Sequence, residues 1–468
     1  MSSIVESGQQ PDCETHRLVL FGQDRSDVLL AREEAGLLLP CVEIPRWQRV
    51  AEHLTAATRS KYGCAAISLF GSETNALCDN SNGPHYQAME CVCNGKEHAD
   101  STAWKSIHSL RRDSLQDEAD YQAIQQLHTE ASSYETDPAS PFARRGWFAE
   151  LRRWITEAID STALHLTGAF HQFNASPSFS LIRFETDGPA VWFKAVGEPN
   201  QREFPITLKL AQLFPDYLPQ IIGKQPAWNG WLALEATGRK LGETKEITDW
   251  TSAAAALARL QIESIPKIVP IVDAGGHDVR VATLALFVEA LLDVLGQLME
   301  RQTKVPPPIV TKEELALLGI RIQDSLALLD ELEIPDTLGH LDLNPGNVIT
   351  SADGCVFLDW AEACVGHPFF SFEYLLEHFR RERGRDAALE SRLVASYCAP
   401  WERLVPSSVI AEARLHAPLV AVLAHAVGSD VWKDLGRLRD SKIAGYLRSL
   451  ARRMNREATR IVDRRVYA

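Results

Sequence analysis

The stretch His340-Leu-Asp342-Leu-Asn-Pro-Gly-Asn347-Val-Ile-Thr-Ser-Ala-Asp-Gly354-Cys-Val-Phe-Leu-Asp359-Trp360 decides the reading of this chain. Asn-Pro-Gly interrupts regular structure. The residues on either side of Asp353-Gly354, a turn signal, read as two short strands. The pattern predicts a loop, a short strand, a tight turn and a second strand, with the carboxylate of Asp359 at its end.

Phosphoryl transfer asks a protein for little covalent chemistry. It needs a carboxylate to orient the attacking hydroxyl and accept its proton, and oxygen ligands for a Mg²⁺ ion bridging the phosphates. Asp342 suits the first role; Asn347 and Asp359 suit the second. Asp342 and Asn347 are five residues apart, the spacing of the H-x-D-x-x-x-x-N loop of kinases. Four polar residues in this order are more than a turn former repeated.

With His340, Asp342, Asn347, Asp359 and Trp360 in that order, and Gly366, Pro368 and Phe369 following, the chain resembles the aminoglycoside phosphotransferase family from about residue 145 to its end. The resemblance implies an α+β, two-lobed, protein-kinase-like fold. The implied activity is ATP- and Mg²⁺-dependent transfer of the γ-phosphoryl group to a hydroxyl of a small molecule. It also implies an upstream strand lysine, met by Lys194, paired with a helix glutamate, met by Glu203, and adenine binding by backbone groups near Glu235 and Ala236. Glu203 would equally suit a helix N-terminus. A turn from Asn174 to Phe179 stands where other kinases have a glycine-rich loop. His340 is expected to support its loop by hydrogen bonding. Ser371 stands where relatives commonly have Asp, a departure that touches the anchoring of the loop and no chemical role.

The same fold phosphorylates antibiotics, amino alcohols and sugars, so the acceptor stays open. A cationic acceptor would suit carboxylates such as Glu373, Glu377, Asp430 and Asp434, although exposed helix acids are commonly just solvated. Phe369, Phe370, Phe372, Tyr374 and Phe379 read as core. The competing class is a nucleotide-binding regulatory module or pseudokinase without transfer. Intact Asp342, Asn347 and Asp359 favour the enzyme, and no A-P-E segment marks a protein-substrate kinase.

The 468 residues exceed one ordinary core and divide into a small α/β domain at 1–130, a polar linker at 131–144, a strand lobe at 145–236 and a helical lobe at 237–468. Ser140 and Pro141 carry the signature of a helix start. The stripe Trp147, Phe148, Leu151, Trp154, Ile155, Ala158 and Ile159 that follows belongs to packing. Val28 to Arg32 and Leu38 to Pro40, then a helix to Gly63, weakly resemble a Nudix strand–loop–helix. The helix lacks clustered glutamates, so no hydrolase activity is expected.

A net charge of −14 argues against nucleic-acid binding. The best candidate for a membrane span, Leu284 to Leu295, is short and carries Glu289 and Asp293. Met1 to Asp12 has no secretory pattern. Nine cysteines without a framework fit reduced thiols in a cytoplasmic protein. Cys91 and Cys93, with Cys78 and His98, lack paired zinc knuckles and read as ordinary cysteines. The basic C-terminal segment reads as a solvated helix face.

Overall fold

A computed structural model describes residues 13–466, apart from 24–25, 35, 47, 72–83 and 93–100. Cys78, Cys93 and His98 therefore lie outside the described residues, while Cys91 is buried. The chain divides into two compact units. The first takes residues up to Phe204 together with Ile221–Glu235; the second takes Pro205–Gln220 and the chain from Ala236 onwards.

The first unit opens with a front sheet of β1 (Cys13–Phe21), β2 (Asp27–Glu33), β3 (Gly36–Leu38), β4 (Cys41–Pro45), β5 (Ala66–Gly71), β6 (His85–Cys91) and β7 (Thr102–Ser106). Two helices accompany it, α1 (Val50–Tyr62) and α2 (Glu118–Ser133). The strand order is β3-β2-β1-β6-β5, with β4 also on β1 and β7 on β2; β1 and β6 run parallel. Leu18-Val-Leu-Phe21 is apolar without alternation because both faces of β1 are covered. Leu18 and Leu20 enter one core with Leu54 of α1, and Val19 and Phe21 enter another with Ile124 of α2. The Nudix-like likeness does not carry through, since β4 intervenes between loop and helix and Glu52 is the helix's one carboxylate.

After α3 (Trp147–Ile159) comes an antiparallel sheet of β8 (Leu166–Ser176), β9 (Phe179–Thr186), β10 (Val191–Val196), β11 (Ile221–Gln225) and β12 (Gly230–Leu234). Its order is β11-β12-β10-β9-β8. The apolar stripe of α3 does pack: Phe148, Leu151 and Ile155 share one core with Ile67 and Leu69 of β5 and with Phe170, Ile182 and Phe193 of this second sheet. The Gln172 side chain of β8, 1% exposed, fastens the two sheets. It accepts the N–H of Ser68 at 2.8 Å and donates to the Ser68 carbonyl at 3.0 Å.

The linker expected at 131–144 thus falls inside one compact unit. Helix α2 reaches Ser133, and Phe142 and Ala143 are buried in the shared core. Ser140 and Pro141 do not begin a helix, because packing holds the next residues in turns. Arg145 is buried over the Phe21 ring, with its guanidinium on Ser132 and Glu135. Helix α3 starts at Trp147 behind Gly146 at φ 86°. The capping expected of Ser140 is supplied from afar: both carboxylate oxygens of Glu90 accept the Gly146 N–H, at 2.9 and 3.0 Å, placing an anion at the helix's positive end.

The second unit is helical. α4 (Glu203–Leu213) begins in the first unit and runs into it. The other helices are α5 (Ile247–Ser264), α6 (Ile268–Asp273), α7 (Val281–Glu300), α8 (Lys312–Glu331), α9 (Phe369–Arg383), α10 (Ala387–Trp401), α11 (Ser407–Gly428) and α12 (Ser441–Val466). They enclose two small sheets. One joins β13 (Arg239–Lys240), β16 (Val348–Thr350) and β17 (Cys355–Phe357); the other is ordered β14 (His277–Val279), β18 (Ala363–Gly366), β15 (Thr337–His340). Helices α7 and α11 are each long and apolar enough to cross a membrane. Here Leu284, Val288, Leu291 and Leu295 of α7 and Leu419, Val420 and Leu423 of α11 enter the helical core. The whole is α+β, sheets first and helices after.

Candidate active site

The loop after β15 presents Asp342, and a single-turn helix at Pro345–Asn347 leads into β16. The hairpin β16–β17, in register from Val348↔Phe357 to Thr350↔Cys355, then returns the chain to Asp359. Three hydrogen bonds hold its two ends together. The His340 imidazole donates from Nε2 to the Leu358 carbonyl at 2.9 Å and accepts the Asp342 N–H at Nδ1 at 3.2 Å. Leu358 N–H donates to the Asn347 carbonyl at 2.8 Å. One neutral tautomer of His340 satisfies both of its contacts. His340 is therefore a support that fixes Asp342 and the residue before Asp359 at once. Gly339 is needed beside it, because a Cβ there would lie 2.6 Å from the Cys364 sulfur.

Asn347 donates from Nδ2 to the Asp342 carbonyl at 3.0 Å, which leaves Oδ1 as an oxygen donor. Asp359 sits at φ 62°, ψ 66°, a left-handed conformation rare for residues with a side chain. Such backbone persists where the surrounding structure over-determines it, and it clusters at functional sites. An amide oxygen and a carboxylate are hard donors of the kind Mg²⁺ selects, so the pair fits that ion. The Asp342 carboxylate accepts from Asn344 Nδ2 and from the Tyr374 hydroxyl, each at 3.3 Å.

In the first unit, Lys194 of β10 places its ammonium 2.5 Å from Glu203. The Lys194 side chain is 13% exposed and that of Glu203 2%. Phe179 and Trp231 flank the ammonium at 5.9 and 5.8 Å from their ring centres. Glu203, the first residue of α4, is thus the lysine's ion-pair partner and not merely an acid at a helix end. The turn expected from Asn174 to Phe179 narrows to Pro177 and Ser178, because β8 extends to Ser176 opposite Phe179.

Glu235 follows the last residue of β12. Its N–H is committed to the Ala190 carbonyl at 2.9 Å. Its carboxylate takes a two-pronged contact from Arg183, at 2.7 and 2.9 Å, and the Trp192 indole N–H at 3.1 Å. Of the backbone groups proposed for adenine, the Glu235 N–H is occupied by the sheet. Ala236 begins the second unit.

The four acids named for a cationic acceptor are engaged elsewhere. Glu373 is buried, its pKa pushed up to about 7 by desolvation against the opposing pull of Arg380 and Arg414. Glu377 pairs with Arg381 and Asp430 with Lys433. Asp434 accepts the N–H groups of Gly436 and Arg437.

Sequence reading missed the side chains that gather around Asp342. Tyr374 stands between His425 of α11, ring centres 5.6 Å apart, and His378 of its own helix, 5.0 Å away. His425 bonds from Nδ1 to the Leu341 carbonyl at 3.2 Å, and its Nε2 meets the Tyr446 hydroxyl of α12. Burial lowers the pKa of both histidines. A signal existed: Phe369, Phe372, Leu376 and Phe379 mark the buried stripe of α9, and Tyr374 and His378, four apart, share a different face.

Residues 249–406 match the model of the phosphotransferase enzyme family. The match contains Asp342, Asn347, Asp359 and Tyr374 and begins after Lys194 and Glu203. No curated protein matches the chain. Among solved structures it is similar to a macrolide 2'-phosphotransferase from Brachybacterium faecium, at 16% identity over 63% of this chain and 97% of that one, TM-score 0.41. It is also similar to an ethanolamine kinase of Plasmodium vivax, at 13% identity over 70% and 93% with TM-score 0.46. A choline kinase of Cryptosporidium parvum is similar at 13% identity over 68% and 93%, TM-score 0.46.

Proposed function

We propose that the chain is a small-molecule kinase transferring the γ-phosphoryl group of ATP to an alcohol. The observation that supports this most is the stitched arrangement of Asp342, Asn347 and Asp359 inside the segment matching the phosphotransferase family. Asp342 orients the acceptor hydroxyl and takes its proton. The acceptor oxygen bonds to the γ-phosphorus as the bond from that phosphorus to the bridging oxygen of ADP breaks. Asn347 Oδ1 and Asp359 are the residues that would hold Mg²⁺, which would supply neutralisation of the phosphate charge. Lys194, oriented by Glu203, pairs with the nucleotide phosphates. The enzyme takes a small hydroxyl compound as partner, and neither nucleic acid nor a membrane.

The test is Mg²⁺-dependent transfer from ATP and from GTP to a panel of aminoglycosides, macrolides, amino alcohols and sugars, wild type beside Asp342→Asn. Transfer to one class, lost in the variant, is expected. Tight nucleotide binding with no transfer to any compound and no hydrolysis would favour a regulatory nucleotide-binding module instead.

A further inference from the structure

The catalytic-loop carboxylate does not stand alone in its unit. Three helices converge on it with polar-tipped rings: α9 sends Tyr374, α11 sends His425 and α12 sends Tyr446. Only Tyr374 reaches the carboxylate itself, its hydroxyl donating to Oδ1 of Asp342 at 3.3 Å while Asn344 serves Oδ2. That length is at the long end for a hydroxyl donor, as is common for catalytic groups before substrate is bound. The Tyr374 ring is fixed on both sides, stacked on His425 with 30° between planes and tilted against His378. His425 is itself pinned by Leu341, the residue before Asp342. The other charged or titratable groups facing Tyr374 are Tyr446 and Arg381. Desolvation, then the Asp342 charge, raises its pKa, which keeps the hydroxyl a donor.

We infer that Tyr374 is a positioning residue for phosphoryl transfer, its hydroxyl fixing the rotation of the Asp342 carboxylate so that one oxygen stays turned to the incoming hydroxyl. This rests on the kinase reading above. A carboxylate on two single bonds is free to rotate, and a misdirected base loses rate without losing substrate binding. The hydroxyl supplies the direction, and the stacked ring keeps the hydroxyl in place.

The experiment uses the full chain with Mg²⁺ and ATP and follows phosphate release with water as the acceptor, so no acceptor need be known. Tyr374→Phe keeps the stacked ring and removes the hydroxyl. Its kcat should fall about tenfold, with the KM for ATP and the melting temperature unchanged. In an Asp342→Asn background the same substitution should change the residual rate less than about twofold, because the two residues act as one unit. An unaltered kcat in Tyr374→Phe overturns the inference, and so does an equal loss in both backgrounds, the mark of a general structural role. A wild type that neither hydrolyses ATP nor transfers phosphate removes the kinase reading itself, a distinct outcome.

Discussion

The hydroxyl of Ser371 accepts the main-chain N–H of His340 at 2.8 Å, with both residues buried. A neutral serine on α9 thus anchors the loop of Asp342 at the position where the resembled family commonly has an aspartate. Ser371→Ala would take that acceptor away from a buried N–H. A loss of about 1–3 kcal/mol in stability is expected, with a lower kcat as the loop slackens. Chemical denaturation beside steady-state rates checks this, and a change within about 0.5 kcal/mol would show the anchor to be dispensable.

Asp342→Asn keeps the shape of the side chain and removes the proposed base. Transfer should fall by roughly 10²–10⁴-fold while nucleotide affinity stays close to wild type. Rates paired with titration calorimetry separate the two effects, and near-normal turnover would assign the proton to another group.

Lys194→Met takes an ion-pair partner from the Glu203 carboxylate, which is 2% exposed. Removing one partner of a buried pair costs roughly 3–5 kcal/mol, and replacing both costs far less. The double variant Lys194→Met with Glu203→Met should regain most of the stability and none of the nucleotide affinity. If ATP still bound normally to the double variant, the pair would be structural only.

Glu373 carries a pH signature. Its carboxyl is raised from 4.5 to about 7 in the folded protein, so between those values the folded state holds a proton that the unfolded state has lost. Its contribution to stability is full below about pH 4.5 and is lost as the pH rises through 7. Glu373→Gln removes the titration, and its stability relative to wild type should improve by up to roughly 3 kcal/mol between pH 5 and pH 8. A relative stability independent of pH would show that Arg380 and Arg414 already neutralise the site.

Gln172→Ala deletes both hydrogen bonds to Ser68 and leaves two buried main-chain groups unpaired. About 2–4 kcal/mol of stability should go with them, measurable by denaturant titration. A variant as stable as wild type would mean the shared apolar core suffices to hold the sheets together.

The structure of the candidate catalytic segment was legible because its parts are local. The loop, the hairpin and Asp359 follow one another within twenty residues, and Asp353-Gly354 announces the turn. Lys194 and Glu203 were legible through family resemblance, being nine residues apart on a strand and the next helix. Tyr374 was read as core because composition alone makes every aromatic of α9 apolar, and His425 and Tyr446 reach the loop from 84 and more residues away. The false helix start at Ser140-Pro141 has a similar origin. The local signal was sound, but burial of Phe142 and the distant carboxylate of Glu90 set the real boundary. The partners of Glu235, the Ala190 carbonyl for its N–H and Arg183 for its carboxylate, are invisible at sequence level.

The junction of Gln172 with Ser68 also bears on how the chain is made. Ser68 precedes Gln172 by 104 residues, so at ~5–20 residues per second a ribosome needs roughly 5–20 s to deliver the second after the first. Throughout that interval Ile67, Leu69 and Phe70 of β5 await α3 and β8, which complete their core. The nascent chain therefore displays a hydrophobic strand for seconds, long enough for chaperones to engage it. Slow codons placed after β5 would prolong that exposure, and slow codons placed after β8 would give the newly closed core time to set before the helical unit emerges.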